Sequence, residues 1–281
     1  MGIPEADPHY FPVLTKYLSF VDESGHSKDP RRGHVSLAGL VASRAAWTTL
    51  ESEWSRVSEA HGLTQPFHMR DFSAFKGQFK DWTETQRREL LAGLMATIGR
   101  ARAIPIGSVV STRFFNNLST EMKSNFRDPY MLAFQPLTYH LAVAASLATP
   151  PGPITMVYAH HPEHSDGLAN SEKLWESLRE HNPLIKYFME SYGCARASEH
   201  AGLAAADLWA YELGHHFDFI RPAGRQPRWA FREFVKLGLN YQFAHNFITY
   251  HDEHGACGVG RMARVQQWRE ISLYTSGFST L

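Results

Sequence analysis

Cysteine is nearly absent from this chain. Cys194 and Cys257 are the only two in 281 residues, too few for a disulfide framework or a four-cysteine zinc site. That usage fits a reducing cytosol. An excess of one charge is also missing, since Lys and Arg total 28 and Asp and Glu total 28. A strongly basic chain would point to nucleic acid; this balance does not, although a local patch needs no overall excess. The longest apolar run, around Leu141 to Ala148, is too short to span a bilayer. Met1 to Pro12 carries acids, prolines and a histidine in place of the basic start and apolar core of a secretory signal. A soluble, cytoplasmic protein with no membrane contact is the expectation. No glycine-rich phosphate loop, nucleophile elbow or Ser-His-Asp spacing stands out. No period repeats, and no stretch is low in complexity.

What remains is enough for a sizeable core: 43% of residues are hydrophobic and 13% aromatic. The length suits one large domain, or one domain with an appendage. Residues 1–14 read as a loose N-terminal arm, 15–216 as an α/β domain, and 217–281 as a helical or irregular extension. A strand is expected from about Lys16 to Asp22, a turn over Ser27 to Gly33, and a hairpin partner over His34 to Ala42. Ser43 caps a helix over Arg44 to Ala60, with Trp47, Leu50, Trp54 and Val57 on one face. Gln65 to Phe72 reads as a loop or short strand. Thr83 caps a second helix, striped by Leu90, Leu91, Leu94, Met95 and Ile98. Ala103 to Val110 is a third strand, where Pro105 and Gly107 suggest an edge or a bulge.

Pro129 to Ala148 reads as a long helix kinked at Pro136. Ile154 to Ala159 is a fourth, fully apolar strand, followed by a loop over His160 to Gly167 and a helix from Ser171. Tyr192 to Ala197 is a weak fifth strand. Ser198 caps a helix over Glu199 to His215. Beyond Phe217 the chain turns basic and aromatic, with no clear strands. A hairpin followed by alternating strands and helices predicts an α/β fold, antiparallel at first and parallel afterwards.

Three acids stand where their surroundings disfavour them. Asp22 and Glu23 end the first strand, in Tyr17-Leu18-Ser19-Phe20-Val21-Asp22-Glu23-Ser24-Gly25. A charge at the mouth of a core strand is costly unless something pairs with it. Asp207 falls mid-helix in Leu203-Ala204-Ala205-Ala206-Asp207-Leu208-Trp209-Ala210-Tyr211, where Asp is a poor helix residue. Its small neighbours let that helix approach a sheet closely, and a carboxylate carried into such a contact needs a metal or a strong donor. Strand side chains alternate. Asp22 therefore shares a face with Phe20, and Glu23 joins the same site only if the turn begins at Glu23.

These two motifs resemble the bacterial and phage family known as domain of unknown function 3800. Its signature is an early aspartate-glutamate-serine-glycine and a late glycine-leucine-glutamine-x-alanine-aspartate-leucine. The resemblance covers roughly residues 16 to 216 in order of elements, with Ala204 where glutamine is usual. It implies a ribonuclease-H-like mixed sheet flanked by helices. It also implies a site for Mg2+ or Mn2+ built from the strand-one acid, an acid after strand four and the late helical acid. Such a site suits phosphodiester hydrolysis, which uses two ions about 3.5–4 Å apart among hard oxygen ligands. Asp22, Glu23 and Asp207 would be its catalytic and metal-holding residues, and nucleic acid its partner.

Strand four departs from the family pattern, ending Tyr158-Ala159-His160-His161 with Asp166 further on. His160 or His161 would be a ligand favouring manganese or a softer metal; or Asp166 reaches back; or the site is incomplete and the protein a non-catalytic binding or regulatory module. His160, His161, His164 and Asp166 together read either as a zinc cluster or as a solvated loop. His68 and Asp71 are cleft candidates, His68 as a proton carrier near neutral pH. Arg225, Arg228, Arg232 and Lys236 recur near helical spacing among Trp229, Phe231 and Phe234. That pattern suits phosphate contact with stacking, or an amphipathic helix packing its aromatics inward. His251 to His254 reads as a loop.

Overall fold

The computed structural model describes residues 16–24, 32–126, 128–159, 165–196, 198–240, 248–252 and 255–258. The N-terminal arm lies outside them. In chain order the elements are β1 (Tyr17–Ser24), β2 (His34–Ser43), α1 (Arg44–Ala60), α2 (Met69–Ser73), α3 (Glu84–Arg100) and β3 (Ile104–Ser111). Then follow α4 (Thr112–Asn116), α5 (Thr120–Phe126), α6 (Pro129–Leu147), β4 (Ile154–Ala159), α7 (Ser165–His181), α8 (Pro183–Phe188) and β5 (Met189–Ala195). The chain continues through α9 (Ala201–His215), a π-helical turn over His216–Ile220, α10 (Trp229–Asn240), β6 (Ile248–Asp252) and β7 (Gly255–Gly258). Among the described residues no helix is long and apolar enough to cross a membrane.

The strands form one seven-stranded sheet in the order β5-β4-β1-β2-β3-β6-β7. β1, β2 and β3 are an antiparallel meander. β4 adds to β1, and β5 to β4, in parallel. The expected mixed sheet flanked by helices is therefore present. Alternation along the strands feeds two cores. Leu18 and Phe20 of β1, with Ala38 and Leu40 of β2, meet α1, α3, α9 and α10 on one face. Val21, Leu37 and Val41 meet α6, α7 and α8 on the other.

α9 approaches the sheet closely because its inner face is small. A Cβ at Gly202 would come 2.2 Å from Phe20 Cδ2, and one at Gly214 would come 2.7 Å from Ser24 Oγ. The helix thus runs along β1 from Phe20 to Ser24, which brings its middle level with Asp22.

Several expectations change. β1 continues to Ser24, because its ladder with β2 holds through Glu23↔Leu37 and Ser24↔Ser36. The stretch from Gln65 to Phe72 runs into α2, a short helix with His68 as its N-cap. β3 is interior; Pro105 is tolerated because β6 pairs only from Gly107 onward, leaving the missing N–H without a ladder partner to lose. α7 begins at Ser165, ahead of Ser171. α9 starts at Ala201 with His200 as its N-cap residue, so Ser198 is not the cap. Beyond 216 the chain returns to the sheet: α10 packs its aromatics on α9, and β6 and β7 extend the β3 edge. His251 and Asp252 therefore lie in a strand, one too short and polar to show an alternating pattern.

Candidate active site

Because β1 stays regular to Ser24, Asp22 and Glu23 face opposite sides of the sheet. Asp22 shares the α9 face with Phe20 and is 4% exposed. Its Oδ1 accepts the Glu23 amide at 2.7 Å. Its antiparallel partner is Ala38.

Glu23 belongs to the α6 face. Its Oε2 accepts the Tyr158 hydroxyl at 3.4 Å, and Tyr158 in turn contacts the Tyr130 hydroxyl. Burial, then the Glu23 and Asp22 carboxylates, push the Tyr158 phenol well above its ordinary range, so it stays a proton donor. The three groups form a chain in which Tyr130 donates to Tyr158 and Tyr158 to Glu23. Glu23 is thereby drawn away from the α9 side.

Asp207 projects from α9 toward α2 and is 14% exposed at its side chain. Its Oδ2 accepts the Met69 amide at 2.7 Å. That amide belongs to the first turn of α2, where backbone N–H groups have no partner within the helix and a carboxylate is favoured. The same Oδ2 lies 3.2 Å from His68 Nδ1. Nδ1 also lies 3.3 Å from the Arg70 amide. One nitrogen cannot donate to the first and accept from the second. The shorter, charge-assisted contact to Asp207 prevails when Nδ1 carries the proton.

The hydrogen bond to Asp207 is the largest cause that raises the His68 pKa above its ordinary 6.5; burial opposes it, and the charges of Asp207, Asp71 and Asp22 add to the rise. Asp22 and Asp207, 185 positions apart in the sequence, thus both favour the protonated form of one imidazole. A nuclear magnetic resonance titration of His68 should report a pKa above 6.5, falling back in Asp207→Asn. An unchanged value in that variant would deny the pairing.

Asp207 and His68 are therefore in contact, and the charges of Asp71 and Asp22 reach the same imidazole. Glu23 is on the other side of the strand. His160 and His161 lie outside the described residues, and Asp166 is in the first turn of α7, its side chain outside them. Among the described residues no three His, Cys, Asp or Glu side chains are grouped to hold a metal ion. The arginines have other surroundings. Arg225 is exposed, Arg228 Nη2 is 3.3 Å from Glu212 Oε1, and Arg232 Nη1 donates to the Pro227 carbonyl at 2.7 Å. Phe231 and Phe234 are buried against Trp209, while Trp229 is 42% exposed.

Sequence reasoning passed over Tyr130, Tyr158 and Glu212. Glu212 carried the same signal as Asp207, an acid in an apolar helix. The tyrosines carried none, because hydroxyl pairing depends on how β4 meets α6.

No protein-family model matches the chain, and no curated protein matches it. Among solved structures it is similar to Bst-RNase HIII in complex with Mn2+, at 13% identity and a TM-score of 0.38, covering 82% of this chain and 64% of that one. It is also similar to the PCNA:RNase HII complex from Archaeoglobus fulgidus, at 16% identity and a TM-score of 0.29, covering 78% and 86%. A third is the ribonuclease H2 from Pyrococcus horikoshii, at 16% identity and a TM-score of 0.30, covering 93% and 89%. The chain spans 64% of the RNase HIII chain, less than two thirds of its length. Likeness of this size leaves the site to be read from its own geometry.

Proposed function

We propose that the chain is a divalent-metal-dependent nuclease, or a related phosphodiester hydrolase, and a member of the domain of unknown function 3800 family. The observation behind this reading is that Asp22 is buried on the α9 face of β1 while Asp207, carried on α9, binds the Met69 amide and His68. Two carboxylates carried into the packing around α9 from distant parts of the chain cost folding energy unless donors or a cation serve them. The donor set fits a hard ion: both acids offer carboxylate oxygens, the preference of Mg2+ and Mn2+. Asp22 and Asp207 would hold the ions, with His160, His161 or Asp166 completing the shell. When bound, the ions supply charge neutralisation of the phosphate and a readied water. Asp22 is fixed by the Glu23 amide and Asp207 by the Met69 amide, so each carboxylate is aimed before substrate arrives. His68, with its side chain 53% exposed, is positioned to carry a proton between the site and water.

Asp22→Asn and Asp207→Asn should each lower Mg2+- or Mn2+-dependent cleavage of labelled DNA and RNA by at least roughly 100-fold. Full activity in both variants would reject the reading.

A non-catalytic binding or regulatory protein is the second reading. Asp207 Oδ2 already takes the Met69 amide and His68, which is what a purely structural acid does. Calorimetry separates the two: absence of Mg2+ and Mn2+ binding at millimolar metal favours the second.

A further inference from the structure

Asp207 begins a stripe. Tyr211, His215 and Phe219 follow it at four-residue spacing, running down α9 into the π-helical turn. Their rings form a ladder. Tyr211 and His215 are stacked, 5.8 Å between centroids and 8° between planes. His215 and Phe219 are 5.1 Å apart, tilted by 44°. Phe219 is 42% exposed.

Arginines flank the ladder. Arg32 lies 5.3 Å from the Phe219 ring and Arg228 lies 5.8 Å from the Tyr211 ring. Each is held from behind by a buried carboxylate: Asp218 at 2.9 Å from Arg32, and Glu212 at 3.3 Å from Arg228. The carboxylates are 1% and 0% exposed, while the arginine side chains are 21% and 33% exposed. The acids are buried and the arginines partly exposed. His215 itself is neutral at ordinary pH: burial, then the Arg228 and Arg32 charges, bring it down to about 4.

The described residues expose five large hydrophobic side chains; one is on this face, and two more are neighbours in sequence of residues that touch it. Phe219 is on the ladder. Trp229 adjoins Arg228. Phe75 follows Ser73 by two residues, and the Ser73 hydroxyl meets the Tyr211 hydroxyl. Exposed aromatics beside partly exposed arginines are what an unpaired polynucleotide needs: every base has a face to stack, and every linkage a negative charge.

We propose that the Tyr211-His215-Phe219 ladder, flanked by Arg32 and Arg228, is a binding track for single-stranded nucleic acid that leads the strand to Asp207. The proposal rests on the nuclease reading for the fate of the strand; the contact itself stands without it. The track touches base faces and phosphates, which DNA and RNA share, so both bind. A duplex hides its base faces and binds more weakly.

Fluorescence anisotropy of the full chain, in chelator and without divalent metal, tests the track apart from cleavage. The probes are labelled oligothymidylate and oligouridylate of about 15 nucleotides, with a duplex of equal length. Both single strands should bind more tightly than the duplex. The double variant His215→Ala/Phe219→Ala should weaken them roughly tenfold to 100-fold, while Phe219→Trp should keep or tighten binding. Arg228→Gln should flatten the salt dependence, lowering the slope of log K against log salt by about 0.7. Equal affinity in wild type and the double variant would overturn the track, whatever the cleavage assay reports. So would a concentration-dependent dimer abolished by Phe219→Ala, which would assign this face to a second copy. Intact track-dependent binding with no cleavage in Mn2+ would remove the nuclease reading and leave the track.

Discussion

Trp209→Ala should destabilise the protein by about 3–5 kcal/mol, the largest single-residue effect expected outside the candidate site. Trp209 is fully buried. Its ring lies 5.8 Å from Phe231 and 4.8 Å from Phe234, tying α10 to α9. Its Nε1 donates to the Ile106 carbonyl at 3.0 Å, tying both to β3. Truncation leaves a cavity among three elements and an acceptor without its donor. Urea or thermal unfolding should show the loss, the latter as a fall of roughly 10 °C in Tm. Trp209→Phe should recover much of the packing and still lack the hydrogen bond. A loss below about 1 kcal/mol for the alanine variant would mean that α10 does not depend on α9 for its place.

Glu212→Gln should stabilise the protein at pH 8 and be near neutral at pH 5. Burial pushes the Glu212 carboxyl up to about 7 from an ordinary 4.5, with Arg228 opposing the rise. A carboxyl whose folded pKa is raised holds its proton more tightly in the folded state. Between about 4.5 and 7 the folded protein therefore binds more protons than the unfolded one, and stability falls as pH rises through that window. The gap corresponds to about 3 kcal/mol at most, fully lost above pH 7. Glutamine keeps the shape and cannot ionise, so the fall disappears. His215 and His216 work in the opposite sense. Burial lowers both to about 4 from 6.5, so their contribution is lost as pH falls across that interval. The glutamine variant should thus show stability rising with pH where the parent shows a flatter profile. Denaturant midpoints from pH 4.5 to 8.5 would decide it, and parallel profiles for the two proteins would deny Glu212 its buried charge.

The elements that could be read from sequence were those whose ends are written locally. Ser43 does accept the Ala46 amide at the start of α1, and Thr83 forms a capping box with Gln86. β1, β2 and β4 announced themselves by apolar content. α2 did not, because five residues carry no period, and its start depends on His68 and on Asp207 from far along the chain. β6 and β7 were invisible for a similar reason: they are strands because β3 offers an edge. At the site, the mid-helix position of Asp207 singled it out, and alternation alone separated Asp22 from Glu23 once the strand was known to reach Ser24. That His68 sits against Asp207 could not be read, since it follows from the docking of a short helix whose sequence is polar and aromatic throughout.

The hydrogen atom at Gly202 has a reach beyond its own contact. The Phe20 ring beneath it is wedged by Trp47, 4.7 Å away, and cannot swing aside. Any bulk added there would lever the start of the helix off the sheet, and the lever arm ends at Asp207. The seating of the helix that carries Asp207 is therefore set by a residue that carries no chemistry. Drift at position 202 would retune or disable the site without altering a single functional group.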